Sequence, residues 1–215
     1  MGKKLVHGIG SNDADYVTQV FEDVEGSYSY RSSKRRLVWV CPYYRKWRHL
    51  LERCYSKKKQ INSPTYKGCT VCDEWLTFSN FRKWMVTKDW EGKHLDKDTL
   101  SHGNRVYSPE TCVFVSMEVN MFTTDSGKTR GKYLVGCFWV TSNNKFTARC
   151  SNPNTRKQQH LGYFTEEIEA HLAWKYQKHK YAVELSNSEY VTDDRVKDAL
   201  MVRYKNYTIV EEHIK

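Results

Sequence analysis

Three stretches decide the fold: YLVGCFWV (133–140), KFTARCS (145–151) and KQQHLGYF (157–164). Each has the length and composition of a strand, and the breaks between them, Ser142-Asn143-Asn144 and Asn152-Pro153-Asn154, carry turn chemistry. They predict a three-stranded antiparallel meander. One face of such a sheet needs cover, which a helix starting at an N-cap Thr165 and running to about Leu185 supplies. Glu166 and Glu167 fall in its first turn, where the dipole favours anions, and Ala170 and Ala173 are small enough for close approach to a sheet. In the middle strand Lys145, Thr147 and Arg149 alternate with Phe146, Ala148 and Cys150. The basic set is therefore expected on the open face, with Trp139 and His160 beside it and Arg156 and Lys157 near the turn. A basic ribbon of this kind fits the DNA major groove, where Arg reads guanine and an aromatic side chain meets a thymine methyl.

Working outward, charge points the same way. The chain of 215 residues has 35 Lys and Arg against 25 Asp and Glu, a formal +10. Residues 31–60 hold many Lys and Arg, Arg45, Lys46 and Arg48 among them, and one acid, Glu52; residues 126–160 hold no acid at all. From Thr165 onward the chain is more acidic. Two basic blocks suit one polyanion followed along its backbone, and Tyr43, Tyr44, Trp47, Trp139 and Phe146 interleave aromatic rings with that charge. A solvated charged face is the competing reading.

At 39% hydrophobic and 28% charged the chain is neither disordered nor fibrous. It has no run of about 18 apolar residues, so no membrane span is expected. Its first residues lack the apolar run of a secretory signal, and seven cysteines give no even disulfide framework. A cytoplasmic protein is expected, with a monomer favoured. Cys69 and Cys72 have CxxC spacing, but no second pair follows, so buried free thiols are expected rather than zinc.

Upstream, residues 26–33 read as a Ser/Tyr/Arg-rich connector and 37–41 as a short strand. After Pro42, Trp47, Leu50, Leu51 and Cys54 recur at i, i+3, i+4, i+7, predicting a helix that stops by Asn62-Ser63-Pro64. Phe78, Phe81 and Trp84 predict a second helix packed on the first. Residues 95–100 and 113–115 read as strands, followed by a helix over 116–122, and a final helix is expected over 194–205.

Residues 130–185 resemble the plant ethylene-response-factor (APETALA-type) DNA-binding domain, through Gly136-Cys137, Lys145-Phe146-Thr147-Ala148-Arg149, Leu161-Gly162-Tyr163-Phe164 and Glu169-Ala170…Ala173-Trp174. Leu95-Asp96-Lys97-Asp98, Gly103-Asn104 through Val115, and Glu118-Val119-Asn120 resemble the ββα-metal element of phage HNH homing endonucleases. Tyr44-Arg45-Lys46-Trp47…Glu52-Arg53-Cys54-Tyr55 and Val71-Cys72-Asp73-Glu74-Trp75-Leu76 resemble the same group, which often carries such a C-terminal domain. The combination implies an α+β chain: an extension (1–40), an HNH-like domain (41–124), a linker (125–132), the three-stranded domain (133–185) and a helical tail (186–215).

That resemblance implies a Mg²⁺-dependent (or Mn²⁺-dependent) endonuclease acting on double-stranded DNA in a host bacterial cytoplasm, without a small-molecule cofactor. Asp96 and Asn120 are the implied metal ligands, and Asn104 orders the loop between them. Where the HNH pattern has its general-base His, this chain has Lys97, which is protonated at neutral pH unless strongly desolvated. Lys97 can act as a cation toward phosphate, and His102 or His94 can supply the base. Two readings stand beside the nuclease: a DNA-binding regulator or decoy without cutting activity, and a phage protein acting on a host protein.

Overall fold

The computed structural model describes residues 5–29, 32–124 and 132–205. The linker expected at 125–132, apart from Lys132, and the end of the expected tail lie outside the described residues. In chain order the first elements are β1 (Gln19–Ser29), β2 (Ser32–Val40), α1 (Pro42–Tyr55), α2 (Lys57–Asn62), β3 (Thr70–Val71) and α3 (Phe78–Met85). Then follow β4 (His94–Asp96), β5 (Val106–Tyr107), β6 (Val113–Val115), α4 (Met117–Thr123), β7 (Cys137–Val140), β8 (Lys145–Ser151), β9 (Gln158–Phe164), α5 (Glu167–Ser186) and α6 (Asp194–Arg203). The architecture is α+β, in two compact units: residues 1–91 with 103–112, and residues 92–102 with 113–215. Among the described residues no helix is long and apolar enough to cross a membrane.

In the first unit α1 starts with Pro42, whose missing N–H costs nothing at a helix N-terminus. Its predicted stripe, Trp47, Leu50, Leu51 and Cys54, is buried. Phe78 and Phe81 of α3 pack on it, with the Trp47 and Phe78 ring centroids 5.4 Å apart, and the Trp47 indole donates to the Trp75 carbonyl at 2.6 Å. The single helix expected to reach residue 62 is two helices. Ser56 accepts from the Lys59 N–H and caps α2, so the chain turns there. The connector expected at 26–33 is also corrected: its described residues belong to β1, which ends at Ser29, and β2, which begins at Ser32, and the two strands pair antiparallel. Glu22 faces Arg36 across the ladder at 3.6 Å, beside the apolar pairs Val20/Trp39 and Phe21/Leu37.

In the second unit β4 and β6 pair antiparallel, Asp96 opposite Val113, and α4 follows at once, capped by Ser116. The predicted meander is present in the order β7-β8-β9. The helix behind it is capped by Glu166, not Thr165: the Glu166 and Glu169 side chains each accept from the other's backbone N–H in a capping box. Val113, Val115, Val119 and Phe122 lie in the same buried cluster as Ala148, Cys150, Ala170, Trp174, Leu185 and Leu200. The expected domain boundary after residue 124 is therefore corrected. The β4–β6–α4 element and the three-stranded sheet share one core.

Candidate nucleic-acid interface and strand–strand–helix element

Register fixes which side chains share a sheet face, because opposed residues of paired strands point the same way. Trp139, Phe146 and Phe164 form one row, and Cys137, Ala148 and Gly162 the next. Phe146 and Phe164 pack against the buried core, so this face is the covered one. Trp139 is thus corrected from the open face to the covered one, its ring edge-on to Phe146 at 4.8 Å. The open face carries Phe138, Thr147 and Tyr163 in one row, and Arg149 with His160 in the next. A bulge at Leu161-Gly162, with Gly162 at φ +132°, keeps His160 on that face.

Lys145, Arg149 and His160 are exposed there. The Arg149 guanidinium lies 5.7 Å over the Phe138 ring, and the His160 and Tyr163 rings are 4.8 Å apart. Thr147, expected to be open, is wholly buried between its row neighbours, and its hydroxyl donates to the Gly162 carbonyl. Lys157 is exposed, while Arg156 pairs with Glu118 at 3.4 Å. No Asp or Glu occurs in the three strands.

In the first unit Arg45 of α1 is exposed, and Lys46 and Arg48 are half-buried. Desolvation, with Arg53 nearby, pulls the half-buried Lys46 ammonium below its ordinary value, and partial desolvation with Arg48 nearby does the same to the exposed His49. Cys69 is buried and donates to the Thr65 carbonyl, and burial pushes the Cys72 thiol up; both are free cysteines.

The β4–β6–α4 element holds the expected metal ligands. Asp96 Oδ1 accepts from the backbone N–H groups of Asp98 at 2.9 Å and Thr99 at 2.6 Å, which fixes the carboxylate at the end of β4. Asn120 lies half-exposed on α4. Asn104 belongs to the other compact unit, where its side chain donates to the Val106 carbonyl and accepts from the Val106 N–H, bracing the turn before β5. Lys97 is buried, with Nζ donating to both Asp98 oxygens at 2.7 and 2.8 Å. His94 and Asp96 share one side of β4, since they are two residues apart on a strand. His102 is held otherwise: Arg203 of α6 donates Nη2 to His102 Nδ1 at 3.1 Å and Nη1 to the Asp98 carbonyl at 3.0 Å. The same Nη2 lies 3.4 Å from the Thr123 carbonyl at the end of α4.

Arg203 carries no local sequence signal for this task, because its three partners are 80 to 105 residues away in the chain. Among the described residues no group of three or more His, Cys, Asp or Glu is placed to hold a metal ion. The Asp96 and Asn120 oxygens are nonetheless hard donors. Oxygen donors are the kind Mg²⁺ takes, one or two from protein together with several waters and substrate phosphate. No family model, curated protein or solved structure matches the chain.

Proposed function

We propose that the chain binds DNA and hydrolyses its phosphodiester bonds as a Mg²⁺-dependent endonuclease of the HNH type. The observation that carries this reading is the Asp96 carboxylate, pinned by two backbone N–H groups at the end of one strand in a strand–strand–helix element whose helix bears Asn120. Asp96 and Asn120 would hold the ion. When bound, it would neutralise charge on the phosphate oxygens and make a bound water easier to deprotonate.

The chain's own residues divide the remaining tasks. Lys97 is committed to Asp98 and braces the turn after β4 rather than taking a proton. His94, on the Asp96 side of β4, is the group assigned to accept a proton from water. Lys145, Arg149, Lys157 and His160 of the second unit, with Arg45 and Arg48 of the first, are the backbone-contacting cations. The Lys97–Asp98 pair also favours a second reading, a DNA-binding regulator or decoy, because it leaves the residue after Asp96 unable to act as a base.

A plasmid-nicking assay with Mg²⁺ or Mn²⁺, and with EDTA as control, separates the two. The nuclease reading expects cation-dependent product that Asp96→Ala and Asn120→Ala each reduce at least about a hundredfold, with DNA binding retained. Cutting by both variants at the wild-type rate rejects this centre. DNA binding without any product under either cation selects the regulator.

A further inference from the structure

We propose that the open face of the β7–β8–β9 sheet is a stacking platform for unpaired bases. The nucleic acid this chain prefers is then one with a single-stranded or extrahelical nucleotide, not a perfect duplex. This rests on the DNA-binding part of the proposed function and names its substrate class.

The middle row of that face carries the argument. Phe138 and Tyr163 lie on the two flanking strands, opposite the same residue, Thr147, of the central strand. Two strand spacings put their backbones about 10 Å apart. Thr147 points to this face yet is 0% exposed, while Phe138 and Tyr163 remain 45% and 49% exposed. About half of each ring's residue surface is therefore open to solvent on a face where the residue between them is not.

Duplex reading at this position would call for hydrogen-bonding groups standing up from the sheet into a groove. Here Thr147 spends its hydroxyl on the Gly162 carbonyl, which leaves the row the Phe138 ring and the Tyr163 ring with its phenolic hydroxyl. What the row offers is aromatic surface, and every base has a π-face to lay on it.

The surroundings fix the partner's charge. The Arg149 guanidinium lies over Phe138, His160 stands against Tyr163, Lys145 is exposed on the same face, and Lys157 is exposed just before β9. The three strands contain no carboxylate. Aromatic rings set among cations in strands with no acid complement a polyanion that also carries flat base faces. Perfectly paired DNA keeps its base faces inside the stack, so only unpaired bases can use the rings.

The test uses the full chain and three labelled DNAs at one salt concentration: a 20-nucleotide single strand, a duplex with one bulged 2-aminopurine, and the same duplex without the bulge. The bulged and single-stranded DNAs are expected to bind at least about tenfold tighter than the perfect duplex. Binding is expected to quench the 2-aminopurine. Phe138→Leu and Tyr163→Leu remove the ring but keep an apolar side chain at each position. Each is expected to weaken binding of the unpaired DNAs about tenfold, to change duplex binding less than about twofold, and to relieve the quench. Perfect duplex bound as tightly as the bulged one, or Leu variants indistinguishable from wild type on the unpaired DNAs, overturns the platform while leaving duplex binding in place. No binding to any of the three at low salt overturns both this inference and the DNA-binding function.

Discussion

Lys97 stands directly after Asp96, where the HNH resemblance implies an imidazole, and its side chain is only 7% exposed. The group that satisfies it is not equally buried: the Asp98 side chain is 43% exposed. That asymmetry makes the two halves of the pair unequal in energy. Removing Lys97 leaves a carboxylate that water can reach, whereas removing Asp98 takes both carboxylate contacts from a buried cation. Lys97→Met, which keeps most of the stem, is therefore expected to cost about 1 kcal/mol, and Asp98→Ala about 2–3 kcal/mol. Urea unfolding of the two variants checks the order. Equal losses would mean that Lys97 does not depend on Asp98, and would return it to the list of groups available to a phosphate. The same logic separates the two histidines of this element, since the Arg203 hydrogen bond occupies His102 Nδ1 while His94 stands on the Asp96 side of its strand.

Among the elements, the approach of α5 to the sheet is the tightest constraint. Gly136, just before β7, has φ +82°, and a Cβ built there would meet Trp174 Cγ at 2.1 Å. Gly136→Ala would therefore both strain the backbone and push the Trp174 indole out of the core it shares with Ala170 and Leu185. The expected cost is about 3 kcal/mol or more, read as a fall in Cm with an unchanged m-value. A stability within about 0.5 kcal/mol of wild type would show that this packing is soft. The meander and the helix behind it were legible because turn residues and alternation in KFTARCS mark them. The facing of Trp139 was not: YLVGCFWV is apolar at nearly every position, so it carries no alternation from which to tell Phe138 from Trp139. The β1–β2 hairpin was hidden for the opposite reason, since the serines, charges and glycine of 26–33 resemble a loop, and cross-strand partners such as Glu22 and Arg36 become visible only in register. Ser56 ended α1 early because a serine before three lysines caps as readily as it continues a helix.

At the scale of the whole molecule, the chain order misleads about what folds with what. The second unit contains β4, β6 and α4 together with the meander, α5 and α6, while residues 103–112 belong to the first unit. This grouping could not be read from the sequence, because its contacts join residues far apart. Tyr204 donates to the Phe122 carbonyl at 3.3 Å, Lys178 donates to the same oxygen at 2.8 Å and lies 3.6 Å over the Phe122 ring, and Arg203 reaches back to Asp98 and His102. A cut at the expected linker therefore does not release an independently folded module. Residues 125–215 expressed alone would lose Val113, Val115, Val119 and Phe122 from the core, all at most 5% exposed in the intact chain. At about 1.5–3 kcal/mol for each buried side chain, that loss is about 6–12 kcal/mol, comparable with the whole stability of a typical domain. The fragment is expected to show no cooperative thermal transition and to bind extrinsic hydrophobic dye, while the full chain melts cooperatively. Extending the fragment to begin at residue 92 is expected to restore the transition, because it returns β4, β6 and α4 to the core. A cooperative, near-wild-type melt from residues 125–215 alone would mean that the sheet and its helices stand without the strand–strand–helix element, and that the two parts are separable after all.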